Sequence, residues 1–266
     1  MKTRVLSAIV MTVVLVPILI VGGKLFAAIM MILACGGLYE LIHIRETRKK
    51  FPLIIKIFAY IMVVFFSLNN FDSVDFLYDV SYKAVALMIF LFLTPIVFIN
   101  DNKKYNLNDA LFLVGSVLFI GLSFSLLIIT RNFNIKYIIY LLLITIFTDT
   151  FALFTGMMIG SKKLASGISP KKTIEGSIGG SLMGTFVATA FYMTVINPHA
   201  SLVLIILVTL GLTVVGQLGD LVFSAIKRYY GEKDFSNLIP GHGGILDRLD
   251  SLIFVVLAFI LIMGII

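Results

Sequence analysis

Long apolar runs separated by short polar segments recur along the whole chain. Nine of these runs approach the roughly 20 apolar residues that a helix needs to cross the hydrocarbon core of a bilayer. The pattern therefore predicts an all-α, polytopic membrane helix bundle with about nine transmembrane helices. The predicted spans are residues 5–21, 25–42, 51–68, 84–99, 110–130, 137–160, 177–196, 201–228 and 251–266.

Composition supports lipid as the solvent for most of the chain. Hydrophobic residues make up 60% of the 266 residues and charged residues only 13%, against about half and a quarter in soluble domains. The mean hydropathy is +1.09. A large soluble domain is therefore excluded. The single cysteine, Cys35, lies in an apolar run, and three widely spaced histidines leave no Cys/His zinc motif.

The distribution of Lys and Arg predicts the orientation of the helices. With nine spans, sixteen basic residues fall on the side of the N-terminus and only four on the other side, which are Lys24, Lys83, Arg131 and Lys136. Cytoplasmic loops carry the excess of Lys and Arg. The N-terminus is therefore predicted to be cytoplasmic, in a bacterial inner membrane.

Two regions are expected from this topology. Residues 1–136 hold about five N-terminal helices, and residues 137–266 form a catalytic part with two cytoplasmic loops, 161–176 and 229–247. Both loops lie near helix ends on one face of the membrane. Chemistry on a lipid headgroup would take place at this face.

The eighth predicted helix carries one polar stripe. Its members follow helical spacing on an otherwise apolar helix: Gln217, Asp220, Ser224, Lys227 and Arg228. Each basic residue alone is equally well explained as an anchor at the membrane surface. A carboxylate at the membrane boundary is costly and usually functional or paired, so Asp220 is a candidate functional residue.

The ninth helix opens with two carboxylates on one face, Asp247 and Asp250. Helix capping explains one of them well and two of them less well. If the eighth and ninth helices are antiparallel neighbours, both aspartates can converge with Asp220. Clustered carboxylates repel each other unless a cation joins them, and oxygen ligands suit Mg²⁺.

Two further features precede these helices. Asp149 lies inside the sixth helix on a face with Ala152, Gly156 and Gly160. It is either a metal ligand or orienting group, or a carboxylate satisfied by neighbouring hydroxyls. The Lys-, Gly- and Ser-rich loop 161–176 suits either phosphate or anionic lipid.

The segment 224–250 resembles the signature of the CDP-diacylglycerol synthase family, S-x-x-K-R-x4-K-D-x4-[LIF]-P-x-H-G-G-x-x-D-R-x-D. All of its fixed positions are filled, by Ser224, Lys227, Arg228, Lys233, Asp234, Pro240, His242, Gly243, Gly244, Asp247, Arg248 and Asp250. The run from Asp149 through 169–176 to Gly180 is similar to the family's second block. Together the two blocks cover roughly the C-terminal half.

The resemblance implies that CTP and phosphatidate react to give CDP-diacylglycerol and pyrophosphate, with Mg²⁺ required and a second cation left open. Metal ligation is assigned to Asp220, Asp247, Asp250 and Asp149. Catalysis is assigned to the first three of these with Lys227 and Arg228. Substrate binding is assigned to Ser169, Lys171, Lys172, Ser224, Lys233, Asp234, His242, Gly243, Gly244 and Arg248.

The active site is expected to face the cytoplasm, and no nucleic acid partner is expected. The sequence leaves a homodimer open. A secondary transporter with an intramembrane carboxylate site is the alternative function, although it predicts paired repeats and polar residues near the midplane. A lipid kinase or a CDP-alcohol phosphotransferase is a third hypothesis, but the D-G-x2-A-R motif of the latter is absent.

Overall fold

The computed structural model describes residues 2–69, 71–72, 81–99 and 101–263, with side chains from residue 10 onward. Each predicted span corresponds to helix. The first six helices are α1 Lys2–Val21, α2 Gly23–Glu46, α3 Leu53–Leu68, α4 Tyr82–Leu93, α5 Pro95–Ile99 and α6 Leu107–Phe133. The later ones are α7 Ile135–Ile159, α8 Ile174–Phe191, α9 Leu202–Tyr229 and α10 Leu246–Ile262. The prediction of an all-α polytopic membrane protein is confirmed.

The number of helices does not by itself give the number of membrane crossings. Within the described ranges, six helical segments are both long and apolar enough to span a bilayer. The apolar segments Val10–Val21 of α1 and Leu53–Leu68 of α3 are shorter than the 18 residues required of a spanning helix. The end of the ninth predicted span, residues 264–266, lies outside the described residues. Nine crossings therefore stays a prediction.

Two predicted spans are interrupted. The span 84–99 is divided at Thr94, because Pro95 has no N–H to continue the helix and instead starts α5. Helices α4 and α5 still form one apolar segment of 18 residues. Helix α8 ends in a π-helical turn, Tyr192–Ile196, closed by a hydrogen bond from Asn197 N to Tyr192 O at 2.9 Å.

The predicted loop 161–176 is a small β-hairpin rather than an irregular loop. Strand β1, Lys163–Ala165, pairs antiparallel with β2, Ser169–Thr173, and α8 follows at Ile174 without a linker. Thr173 caps α8 by accepting a hydrogen bond from Gly176 N at 3.1 Å. The strands are too short and too rich in lysine to show an alternating apolar pattern, so periodicity did not predict them.

The chain divides into two compact units, the first formed by residues 1–133 and 234–246. Within it, α6 packs against α2 and α3, and its side chains Ile120, Phe124 and Leu127 are buried. Gly121 allows the close approach of Phe66, since a Cβ there would lie 2.6 Å from the Cβ of Phe66. The core of this unit is therefore aliphatic and aromatic, and α6 is at its centre.

The second unit contains residues 134–233 and 247–266. Helices α7 and α8 have the most extensive contact of any two helices in this unit. An aromatic cluster of Tyr137, Tyr140, Tyr192 and Phe259 joins three of its segments. The hydroxyl of Tyr140 is satisfied by Thr209 at 2.7 Å. The expected division of the chain at residue 136, into N-terminal helices and a catalytic part, stays a prediction.

Candidate active site

A seam of small residues brings α7 and α8 together in the second unit. A Cβ at Gly180 would lie 2.5 Å from Thr148 O and 2.8 Å from Ala152 Cβ. A Cβ at Gly176 would lie 2.6 Å from Ala152 O. Only glycine permits this backbone contact. The seam places the β-hairpin, which directly precedes α8, at the end of the helix that carries Asp149.

Lys172 connects this hairpin to α9. Its ammonium group forms an ion pair with the carboxylate of Asp220, and both side chains are about one-quarter exposed, at 27% and 25%. Ser224, one turn further along α9, donates a hydrogen bond to Asp220 Oδ1 at 3.3 Å. Asp220, in the predicted polar stripe of α9, therefore contacts the hairpin and keeps some access to solvent.

A second ion pair joins α9 to α10. Lys227 Nζ lies 2.5 Å from Asp247 Oδ1, and the two side chains are only 9% and 4% exposed. This pair connects the last turns of α9 with the first turn of α10, as the prediction of antiparallel neighbours required. In this less accessible environment a charged partner is worth more than at a surface.

Asp149 and Asp250 complete the group of carboxylates. Asp149 interacts electrostatically with Asp220 and Lys172. Asp250 interacts with Asp220, Asp149 and Lys227, and its Oδ1 accepts a hydrogen bond from Ser251 N at 2.8 Å. The two lysines and these three aspartates therefore share one region of the second unit.

The carboxylates do not form a closed metal-binding cluster. Across the described ranges, no three His, Cys, Asp or Glu side chains are grouped closely enough to hold a metal ion. Lys172 and Lys227 pair with two of the four predicted ligands, Asp220 and Asp247. A metal site formed by these two with Asp149 and Asp250 stays a prediction. The donor type still suits a hard divalent cation, since all four offer carboxylate oxygens.

Several predicted binding residues lie apart from these two ion pairs. Lys171, Lys233 and Asp234 are exposed. Arg228 is also exposed and donates to Glu232 O at 2.6 Å, which closes the C-terminal end of α9. Ser169 begins β2 and Arg248 follows Asp247 on α10. Their assignment to substrate binding stays a prediction.

The 234–246 loop, which carries His242, Gly243 and Gly244, belongs to the first unit. It contains a tight turn in which Ile239 N donates to Gly243 O at 2.8 Å and His242 N to Ile239 O at 2.9 Å. Gly241 and Gly243 have φ of 77° and 83°, a conformation that side chains other than glycine rarely adopt. Gly243 of the motif is therefore needed for the backbone of this turn, as is Gly241, which fills a variable position of the motif.

Sequence reasoning missed two carboxylates that organise these segments. Glu175 accepts hydrogen bonds from Ser161 Oγ at 2.6 Å and from Lys162 N at 3.2 Å, and so closes the base of the hairpin. Glu40 of α2 is fully buried and binds the 234–246 loop. A signal for Glu40 existed, because it is a lone carboxylate inside a predicted transmembrane span.

Comparison with known proteins identifies the family of the chain. The cytidylyltransferase family matches residues 2–266. A phosphatidate cytidylyltransferase of Staphylococcus epidermidis is 36% identical over 256 residues, which cover 96% of both chains. Proteins of that name from Staphylococcus haemolyticus and Staphylococcus aureus are 35% and 36% identical over 255 residues, again with 96% of both chains covered.

Proposed function

Because the chain belongs to the cytidylyltransferase family, we propose that it transfers a cytidylyl group from CTP to phosphatidate. The products are CDP-diacylglycerol, for phospholipid synthesis, and pyrophosphate. The observation that carries this proposal is the pair of lysine–carboxylate contacts, Lys172 with Asp220 and Lys227 with Asp247, around one polar region of a membrane protein. The names of the relatives support the same substrates.

The reaction needs positioning and charge neutralisation more than proton transfer. A phosphate oxygen of phosphatidate attacks the α-phosphorus of CTP. A new P–O bond forms there, the bond from the α-phosphorus to the oxygen bridging the α- and β-phosphates breaks, and pyrophosphate leaves with that oxygen. The attacking oxygen is already anionic, so no strong general base is required.

The two lysines provide cations that can change partners. In the structure Lys172 and Lys227 neutralise aspartates. When the phosphates bind, each ammonium group can turn to a phosphate oxygen and release its carboxylate. Ser224, at the same end of α9, would donate a hydrogen bond to the same anions.

The released carboxylates would then hold Mg²⁺, with Asp220 and Asp247 as the first ligands and Asp250 and Asp149 in support. When bound, the ion supplies positive charge to the phosphate oxygens and to the leaving pyrophosphate. Lysine and metal would thus alternate as counter-ions of the same aspartates. This arrangement explains why the carboxylates are tolerated near one another.

The site is proposed to face the cytoplasm, where CTP is present, in a bacterial inner membrane with a cytoplasmic N-terminus. The distribution of Lys and Arg supports this orientation. Phosphatidate would reach the site laterally from the inner leaflet. Light scattering of the purified protein in detergent distinguishes a monomer from the homodimer that the sequence leaves open.

The position of a phosphorus label in CTP tests the proposed reaction. The protein, purified and placed in liposomes that contain phosphatidate, is given CTP labelled at either the α- or the γ-phosphate. Cytidylyl transfer puts only the α-label into the lipid and requires phosphatidate. A CTP-dependent lipid kinase puts only the γ-label into lipid and requires diacylglycerol, so γ-labelling would overturn the proposal.

The same liposomes test the transporter alternative. Entry of labelled solute without any labelled lipid would favour a carrier. Nothing in the described part of the chain points to that function. Label found in lipid, with release of one pyrophosphate per lipid, is the result we expect.

A further inference from the structure

A single buried carboxylate holds both ends of the 234–246 loop. Glu40 Oε1 accepts hydrogen bonds from Ser236 Oγ at 2.6 Å and from Ile245 N at 2.7 Å, and Oε2 accepts one from Leu246 N at 2.8 Å. The residue is 0% exposed. Its bonds connect α2 with positions about 200 residues away in the sequence.

The contact is shaped closely around this carboxylate. A Cβ at Gly244 would overlap the Glu40 carboxylate group, so only glycine fits there. Gly36 and Gly37 of α2 provide space for the side chains of Ile245 and Leu246. A loop that merely passed over α2 would not need glycines on both sides of the contact.

Glu40 also acts as the N-terminal cap of α10. Leu246 is the first residue of that helix, and the first N–H groups of a helix have no partner within it. A carboxylate at this position satisfies them and interacts favourably with the helix dipole. Asp247 follows Leu246 directly in the chain, so the cap fixes the backbone from which this aspartate projects.

We infer that Glu40 is a positioning residue for cytidylyl transfer: it fixes the 234–246 loop, with its His242-Gly243-Gly244 turn, and the start of α10. The inference rests on the proposed function. Glu40 is fully buried and acts through the loop. Misplacing a catalytic group by about 1 Å can lower the rate about 100-fold, so loosening the loop should reduce kcat.

A graded series of variants tests this role. Glu40→Gln keeps one oxygen acceptor, whereas Glu40→Leu keeps none. We expect kcat per folded molecule to fall roughly 10-fold in the first and roughly 100-fold in the second, with KM for CTP changed much less. Asp109→Asn is the matched control, because it alters another fully buried carboxylate of the same unit and should leave kcat per folded molecule unchanged.

Hydrogen exchange supplies a measurement that does not depend on activity. Peptides covering 236–246 should lose protection in Glu40→Gln and keep it in Asp109→Asn. If the wild-type protein makes no CDP-diacylglycerol, the proposed function fails, while this exchange result still decides whether Glu40 holds the loop. Unchanged protection of the loop in Glu40→Gln would overturn the inference.

Ser236→Ala keeps the test decisive if the Glu40 variants do not fold. It removes one donor to Glu40 and leaves the carboxylate in place. We expect faster exchange in 236–246 and a kcat about 3-fold lower, a smaller loss than in Glu40→Gln, because the bonds from Ile245 N and Leu246 N to the carboxylate remain. Faster exchange with wild-type kcat per folded molecule would reduce Glu40 to a purely structural residue and overturn the positioning role.

Discussion

Asp109 of the first compact unit and Asp220 of the second differ in how deeply they are buried and in how many partners they have. In the first unit Asp109 is fully buried and closed by several donors: Arg45 Nη2 at 2.7 Å, the ammonium of Lys49, and Asn106 N at 3.1 Å. In the second unit Asp220 is one-quarter exposed and has one lysine and one long serine contact. Asp149 is accessible and accepts no hydrogen bond from the described residues.

The difference distinguishes carboxylates that stabilise the fold from carboxylates that would bind a ligand. Asp109 is buried and held by several donors, so little of its carboxylate is left for a substrate or metal, and breaking its contacts destabilises the fold. A partly satisfied carboxylate in an accessible region can exchange its partner at low cost. Aspartates of the first kind should therefore control stability and those of the second kind turnover.

Removal of divalent cations should have the largest effect on turnover. We expect excess chelator to reduce turnover to background and added Mg²⁺ to restore it, because Asp220 and Asp247 would then lack the ion that neutralises the phosphates. Lipid labelling from CTP is the measurement. The melting temperature in chelator should change little, since the Asp109 network uses Arg and Lys rather than metal. Full turnover in excess chelator would refute the metal site.

Asp220→Asn should lower kcat roughly 1,000-fold, the scale expected when one group that stabilises developing charge is lost. The fold should tolerate the change, because the pair with Lys172 is partly exposed and such pairs contribute about 1 kcal/mol or less. Turnover per folded molecule and the melting temperature are measured on the same preparation. Wild-type turnover, or loss of the fold, would place Asp220 with the structural carboxylates.

Asp109→Asn should have the opposite effect. Breaking a buried ion pair by removing one partner costs about 3–5 kcal/mol, so we expect a large loss of stability in detergent. The turnover of molecules that remain folded should stay within about 2-fold of the wild type, well below the 10-fold that 1.4 kcal/mol represents.

Asp101→Asn is the matched control for this variant. Asp101 and Lys104 form an exposed pair at 3.9 Å, and its loss should change stability by about 1 kcal/mol or less. A similar small effect for Asp109→Asn would show that full burial does not distinguish the two kinds of carboxylate.

The helices and the helical spacing of the candidate site residues were predictable from sequence because their signals are local. Apolar length marked each span, and helical spacing placed Asp220, Ser224 and Lys227 on one stripe. The assumption that α9 and α10 are antiparallel neighbours brought Asp247 and Asp250 towards Asp220, but it did not predict the ion pair of Lys227 with Asp247. The spans and the stripe depend on periodicity along single helices.

Other features required the tertiary structure. The hairpin 163–173 was missed because its strands are short, and the role of Glu40 because its partners lie about 200 residues further along the chain. Periodicity and composition report the surroundings of a residue along its own helix and not its distant partners. The ion pair of Lys172 with Asp220 could likewise not be predicted, because the sequence does not show which carboxylate lies next to the hairpin.

The smallest effect is expected for a substitution in the glycine seam between α7 and α8. This seam supports the backbone near Asp149 and Asp220 and does not change their charge. Gly180→Ala forces a Cβ against Thr148 O and the backbone N of Ala152, which cannot move aside as a side chain can. We expect a loss of about 1–3 kcal/mol.

Gly211→Ala is the control for this variant, because a Cβ at that position in α9 of the same unit meets nothing within 4 Å. Alanine is the better helix former by about 1 kcal/mol, so Gly211→Ala should be neutral or stabilising. Thermal unfolding in detergent measures both variants. Equal melting temperatures would mean that α7 and α8 can separate without cost, and the position of Lys172 beside Asp220 would then need another explanation.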